Sequence, residues 1–568
     1  DENKPKLSAA ALDALFALGP YLSRDAAAFA KACRLVRADL ATAARLDATD
    51  PASGRALRKT CEEVIGKTLL PSLSLMFSNA SASDELWAAM RLLPATSRFR
   101  LYSEWKASFR DDDGDAFVVV VKRDAEGDND TVDGTVEIKT LRLRRPALVA
   151  AARAAETGAK SVMRRLSKDN TREFGRKLAK ASHANPLPSL ATVTKQIEAY
   201  TNMIAPVTDA FKYLTALSFD VLTFVVVELL AEGREKLKDD GQNVSLWLQA
   251  LATFCGHLAR KHARDHYERE VKHEAGIDLG IVLHHLVCAL RDDQTIDLLV
   301  LREIIARATG SETLEDLSDA QIEAMAGGPI LRAEAVSAGG PLFVPARAKA
   351  RGIARLKDAL QRGAPGGEPL TVPLLVLTAQ RRRAVAFDGG GLIREGADAA
   401  HLKLIASLHD GCQETFALFC QFLETAFPDA DEYTSVVPYI TDLVHVHGLE
   451  PALAFHAYRP ALRRLDLAPA EREKESSAEV AGAEIADAGS ARVTRSKLLR
   501  DVSSMLPSDV WRSISPELYL SFWSLAPYDL EPPTQRYESE MERCRAAAEK
   551  LEREIARESG AGVSAAAF

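Results

Sequence analysis

Between Pro146 and residue 327 the sequence places amphipathic stretches at short intervals, with no strand pattern to interrupt them. Apolar residues recur at helical spacing over 147–167, 170–182, 188–203, 206–217, 219–232, 243–262, 278–291, 296–307 and 319–327. An amphipathic helix must bury its apolar stripe, and short connections make consecutive helices neighbours in space. This predicts an all-α fold built as a HEAT-like solenoid, in which each helix pair covers the next. No clean sequence period marks the repeats, so the prediction rests on helix lengths and loop lengths.

The rest of the chain divides around that run. Residues 1–110 read as an N-terminal helical segment, with Asp25 placed to cap a helix through Val36. Residues 111–145 form an acidic insertion. Its β-branched stretches 116–122 and 135–143 flank a Gly- and Asp-rich loop, which predicts a β-hairpin near 116–143. A HEAT-type middle domain is expected over 146–310 and a C-terminal helical solenoid over 311–465, with helices at 371–384, 398–425, 431–447 and 450–464. The Glu-, Ala- and Ser-rich stretch 466–494 lacks aromatics and reads as a flexible linker. Closing helices and a heptad helix fill 495–568.

The net charge of −8 comes from one place. Residues 111–137 hold ten acids against Lys122 and Arg123, which leaves 70 basic and 70 acidic residues elsewhere. A neutral body does not carry the footprint of a dedicated duplex-binding domain. The seven cysteines are scattered without a CxxC pair, as expected of reduced, buried thiols in a cytosolic or nuclear protein. The first residue is Asp, as in an excised or processed chain, and no signal-peptide pattern opens the sequence. The longest apolar run, Val221 to Ala231, is too short to span a bilayer.

No pattern supports catalysis or a cofactor. His262 and His266 stand four apart with His257 and His273 nearby, but the surrounding Arg260, Lys261, Arg264 and Asp265 suit a solvated helix better than a zinc site. His284-His285 and His445-Val-His447 bring no third ligand. The loop at Asp111, Asp113 and Asp115 has Ala116 where a calcium loop needs Gly. The string Asp388-Gly-Gly-Gly391 is not a phosphate-binding loop. A helical metal-dependent hydrolase stays as the enzyme alternative, resting on His262. Two basic clusters remain. One is Arg164, Arg165, Lys168, Arg172, Arg176, Lys177 and Lys180; the other is Arg381-Arg-Arg383. Guanidinium groups there can pair with a partner's carboxylates or with RNA phosphate, or form a solvated helix face.

Near the C-terminal end, Ser515 and Pro516 start a helix that places Leu518, Tyr519, Phe522, Trp523 and Ala526 on one packing face. The next helix begins at Thr534 and carries Tyr537, Met541, Cys544, Ala548, Leu551 and Ile555 at alternating spacings of four and three, the seam of a heptad repeat.

The string from Trp511 to Glu540, with Ser515-Pro-Glu-Leu-Tyr519, Phe522-Trp-Ser-Leu525, Tyr528-Asp-Leu530 and Tyr537-Glu538, resembles the THO complex subunit 2 family. The resemblance extends over Tyr21-Leu-Ser-Arg-Asp25, Leu70-Pro-Ser-Leu-Ser-Leu-Met76, Arg98-Phe-Arg-Leu-Tyr102, Met163-Arg-Arg-Leu166 and Lys180-Ala-Ser-His-Ala-Asn-Pro186. It continues through Leu251-Ala-Thr-Phe-Cys-Gly256, Asp297-Leu-Leu-Val-Leu-Arg-Glu-Ile-Ile305 and Gln321-Ile-Glu-Ala-Met-Ala-Gly-Gly328. It implies a nuclear, non-enzymatic scaffold of the THO/TREX transcription-export complex. Such a scaffold organises the other THO subunits and docks a DEAD-box RNA helicase. In that family the middle segment is similar to the central HEAT domain of the translation-initiation scaffold 4G, which places helicase docking over about 146–310. An initiation-factor-like scaffold in translation is the alternative. Residues 111–145 and 262–273 depart from the family as insertions, and the linker does not match its string. The family's basic RNA-binding tail has no counterpart in Ala-Ala-Ala-Phe568, so RNA is expected to be engaged only indirectly.

Overall fold

The computed structural model describes residues 7–109, 146–264, 275–310, 318–328, 330–332, 346–363, 367–388, 400–467 and 495–565. Those residues are mostly helical, and their only β pairing is the isolated bridges Leu237–Val244 and Ala263–Ile277. The fold is all-α. The expected hairpin at 116–143 and the linker 466–494 lie outside the described residues. No helix among the described residues is long and apolar enough to cross a membrane.

The chain gathers into two compact units, residues 1–234 with 262–278, and residues 235–261 with 279–568. In the first, Asp25 caps the helix Ala26–Leu46, its Oδ1 accepting from Ala27 N at 2.9 Å and Ala28 N at 3.1 Å. The helix Pro51–Val64 runs through a π turn, Ile65–Leu69, into Leu70–Leu75. A proline such as Pro71 ordinarily breaks a helix that runs into it. The π turn removes the need for a break, because the wider turn accommodates a residue without an N–H. The helix Ala216–Ala231 is buried nearly all round, which is why its apolar run has no polar face.

In the second unit, the helices Leu298–Thr309 and Ala346–Arg362 meet at Gly352, where an added Cβ would collide with the Ala308 carbonyl oxygen. The expected single helix 431–447 is instead two, Ala430–Val436 and Ile440–His445. Pro438 has no N–H to donate and forces Val437 to an extended backbone, so the first helix ends there. Five cysteines are buried as expected. Cys288 and Cys544 are exposed, because each sits on the outer face of its helix.

Candidate interaction surfaces

The larger basic cluster is built by two helices and the turn between them. The helix Pro146–Met163 ends just before Arg164 and Arg165. Asn170 then folds the turn, its Oδ1 accepting from Ser167 N at 2.8 Å while Nδ2 donates to the Arg165 carbonyl at 2.7 Å. Leu166 is buried and anchors this turn. The helix Thr171–Ser182 follows, held close to its neighbour by Gly175, where a Cβ would lie 2.9 Å from the Tyr213 ring.

This arrangement leaves Arg164, Arg165, Lys168, Arg172, Arg176, Lys177 and Lys180 all exposed. Lys177 pairs with Glu173 at 2.6 Å and lies 4.5 Å from the Phe174 ring centre. Arg176 sits over Tyr213 at 5.6 Å, with Lys212 on the same ring at 5.1 Å. Among the described residues, Arg164, Arg165, Lys168 and Arg172 make no ion pair. The structure therefore brings these sequence-predicted residues onto one short stretch of surface, with four guanidinium or ammonium groups open to an acidic ligand.

Two arginines of the second cluster are spent internally, and Arg383 stays exposed. Arg381 pairs with Asp293, Arg382 pairs with Glu450 at 2.7 Å, and Arg383 stacks near Phe387 at 5.9 Å. Only tertiary contacts separate the two clusters, which look alike in sequence.

His262 is not on a solvated face. Its Nε2 lies 2.6 Å from the Thr208 carbonyl oxygen, so that nitrogen carries the proton, and its ring packs 5.3 Å from Phe219. The sequence reading failed here because the apolar neighbours come from other helices. His266 and His273 lie outside the described residues. Among the described residues, no group of three or more His, Cys, Asp or Glu side chains is placed to hold a metal. A cleft of about 710 Å³ in the second unit is lined in part by Ile296, Leu299, Arg302, Ser407, Cys412 and Thr415. Burial pushes the Cys412 thiol up to about 12, which keeps it protonated at neutral pH.

The aromatic segment divides between packing and exposure. Tyr519 and Trp523 in the helix Pro516–Ser524 lie 4.9 Å and 5.7 Å from the Phe455 ring. Leu518 and Phe522, expected on the same face, are 60% and 56% exposed. They form a separate stripe about 100° away from the one that faces Phe455. In the last helix, Thr534–Ala565, Tyr537 also leaves its expected role. It packs on Ala324 and Leu331, and its hydroxyl accepts from Gly328 N at 2.7 Å. Met541, Cys544, Leu551 and Ile555 stay exposed.

Sequence reasoning missed one buried polar centre in the first unit. Arg98 and Tyr102, from the helix Ala95–Ala107, meet Asp220, and Arg264 lies 3.6 Å from both Asp220 and Asp278. The Trp87 ring faces Arg98 and Arg264, each at 5.6 Å. Burial, reinforced by the Asp220 charge, holds the Tyr102 hydroxyl well above the usual phenol range. Burial alone would lower the Arg98 pKa, but the Asp220 charge and hydrogen bonds outweigh it and raise it. The cluster is charge-paired and closed, and it offers no open position to a substrate.

Residues 4–176 match the family described as THO complex subunit 2 N-terminus, and residues 178–252 match one described as transcription- and export-related complex subunit. Residues 511–566 match transcription factor/nuclear export subunit protein 2. The chain is 35% identical over 577 residues to THO complex subunit 2 of Arabidopsis thaliana, covering 97% of this chain and 28% of that protein. The chain belongs to the THO complex subunit 2 family. Against the Homo sapiens member it is 32% identical, with 92% of this chain and 29% of that protein covered. Against the Saccharomyces cerevisiae member it is 25% identical over 54% of this chain and 16% of that protein. The chain thus spans less than a third of the length of these curated THO complex subunit 2 relatives. The family matches include both the basic cluster and the aromatic segment.

Proposed function

We propose that this chain is a non-enzymatic scaffold within a nuclear THO/TREX complex, organising other THO subunits and coupling transcription to mRNA packaging and export. Stacked helix pairs of HEAT type supply the surface, and the segment 146–310 docks a DEAD-box RNA helicase. The carrying observation is the cluster Arg164, Arg165, Lys168 and Arg172, exposed and without ion pairs among the described residues, on a family member. Four open cations on a folded helical surface suit an acidic protein face, whose carboxylates the three arginines can pair with bidentately and Lys168 as a point charge. RNA then reaches the complex through the helicase.

The test has two arms. Tagged protein should co-purify from nuclei with the other THO subunits. Purified protein should retain the export helicase, and the fourfold reversal Arg164→Glu, Arg165→Glu, Lys168→Glu, Arg172→Glu should release it while leaving the melting temperature unchanged. Helicase retention by the reversed protein would sink the docking assignment. Failure to co-purify with THO subunits would sink the scaffold reading.

A further inference from the structure

The last helix is anchored through its first turn. Arg536 pairs with Glu323 at 2.5 Å and Tyr537 is held by Gly328, so its first turn is fixed on the second unit. Beyond that turn three apolar side chains of the seam face solvent: Met541, Leu551 and Ile555 are 50%, 58% and 62% exposed. From Met541 to Ile555 the seam runs about 21 Å along the helix.

Charge on this helix is sorted by face. The positions beside the seam hold Glu538, Glu540, Glu552 and Glu554 against Arg545 alone. The far face holds Arg543, Lys550, Arg553 and Arg557 against Glu542 and Glu549. Arg553 pairs with Glu549 on that far face at 2.9 Å, whereas Glu538 and Glu552 make no ion pair among the described residues. Arg543 reaches Glu540 at 2.6 Å and Lys550 reaches Glu554 at only 4.0 Å. The seam is therefore apolar with acidic margins.

We propose that residues 541–557 form one strand of a heterotypic coiled coil. Its partner is a helix with Lys or Arg beside its own apolar seam and bulky apolar side chains facing Cys544 and Ala548. The inference deepens the scaffold reading, on which it rests, by naming one partner's chemistry. A second copy fits poorly. Parallel pairing in register sets Ala548 against Ala548 and leaves a gap in mid-seam. Antiparallel pairing with Met541 opposite Leu551 sets Glu538 against Glu552 and Glu540 against Glu554. A basic-margined helix satisfies both the small knobs and the unpaired acids.

The test uses the whole chain and two synthetic helical peptides with Leu at every seam position, one with Lys and one with Glu at the margins. By fluorescence anisotropy the Lys peptide should bind about tenfold or more tightly, with the contrast shrinking as salt rises. The double variant Leu551→Asp, Ile555→Asp should lose that binding while far-UV circular dichroism and melting stay as in the parent, since both side chains are exposed. Equal affinity for the two peptides would overturn the proposal. So would undiminished binding by the double variant, or self-association of the parent that the double variant abolishes. A chain that co-purifies with THO subunits yet does not discriminate the peptides fails here and leaves the scaffold reading standing. The opposite pattern fails the scaffold reading alone.

Discussion

Arg98 grips Asp220 with two parallel hydrogen bonds, Nε to Oδ2 at 2.8 Å and Nη2 to Oδ1 at 3.0 Å, and both side chains are buried. A third donor from the same guanidinium, Nη1, reaches the Leu93 carbonyl at 2.7 Å, and the Tyr102 hydroxyl donates to Asp220 Oδ2 at 2.9 Å. Removing one partner strands the other charge in the interior. Asp220→Ala should therefore cost about 3–5 kcal/mol in chemical denaturation. The paired replacement Arg98→Met, Asp220→Leu should recover part of that loss, because it removes both desolvated charges together but leaves the Tyr102 hydroxyl without its acceptor.

Gly352 lets two helices approach until its Cα faces the Ala308 carbonyl. Gly352→Val should destabilise the protein by about 1–3 kcal/mol, read as a lower denaturation midpoint, since the helices must part to admit the side chain. Gly158 also lies inside a helix, but an added Cβ there meets nothing within 4 Å. Gly158→Ala should hold or raise stability, by up to about 1 kcal/mol.

His456 is packed 6.0 Å from the Phe416 ring, and burial, aided by the Arg459 charge, lowers its pKa to about 4. The folded protein thus binds this proton less readily than the unfolded chain, so stability is present at neutral pH and is lost as pH falls from about 6.5 towards 4. This one group should contribute up to roughly 3 kcal/mol of that loss. His456→Phe should flatten the slope of stability against pH in this window, and an unchanged slope would contradict the assignment.

Trp523 and Phe522 are adjacent in sequence and opposite in role. Trp523 stacks on Phe455 at an interplanar angle of 24° and lies 5.6 Å from the Arg459 guanidinium, whereas Phe522 is 56% exposed. Trp523→Ala should cost about 2–4 kcal/mol by thermal or chemical denaturation. Phe522→Ala should stay within about 0.5 kcal/mol of the parent.

Much of the architecture was legible because helix signals are local. The Asp25 cap, the Ser515 cap that accepts from Leu518 N at 3.2 Å, and the Pro516 start need only their own neighbours. Helix ends were less so: the π turn before Pro71 and the break at Pro438 depend on how a missing N–H is accommodated. Of the candidate surfaces, Arg164 to Lys180 was readable as a cluster, but its openness was not. Arg381 to Arg383 carries the same signature, yet Arg381 and Arg382 are consumed by Asp293 and Glu450.

By itself, then, the sequence determined the all-α class and the family, since helical periodicity and ordered motif strings are properties of the chain alone. The tertiary structure alone decided which charges remain available. Asp293 and Glu450 stand 88 and 68 positions from the arginines they bind, and Asp220 stands 122 from Arg98. It also decided that Tyr537 turns inward while Met541, Leu551 and Ile555 stay open. Whether a cation or an apolar face is satisfied depends on what packing brings within a few ångströms, and no spacing along one helix contains that information.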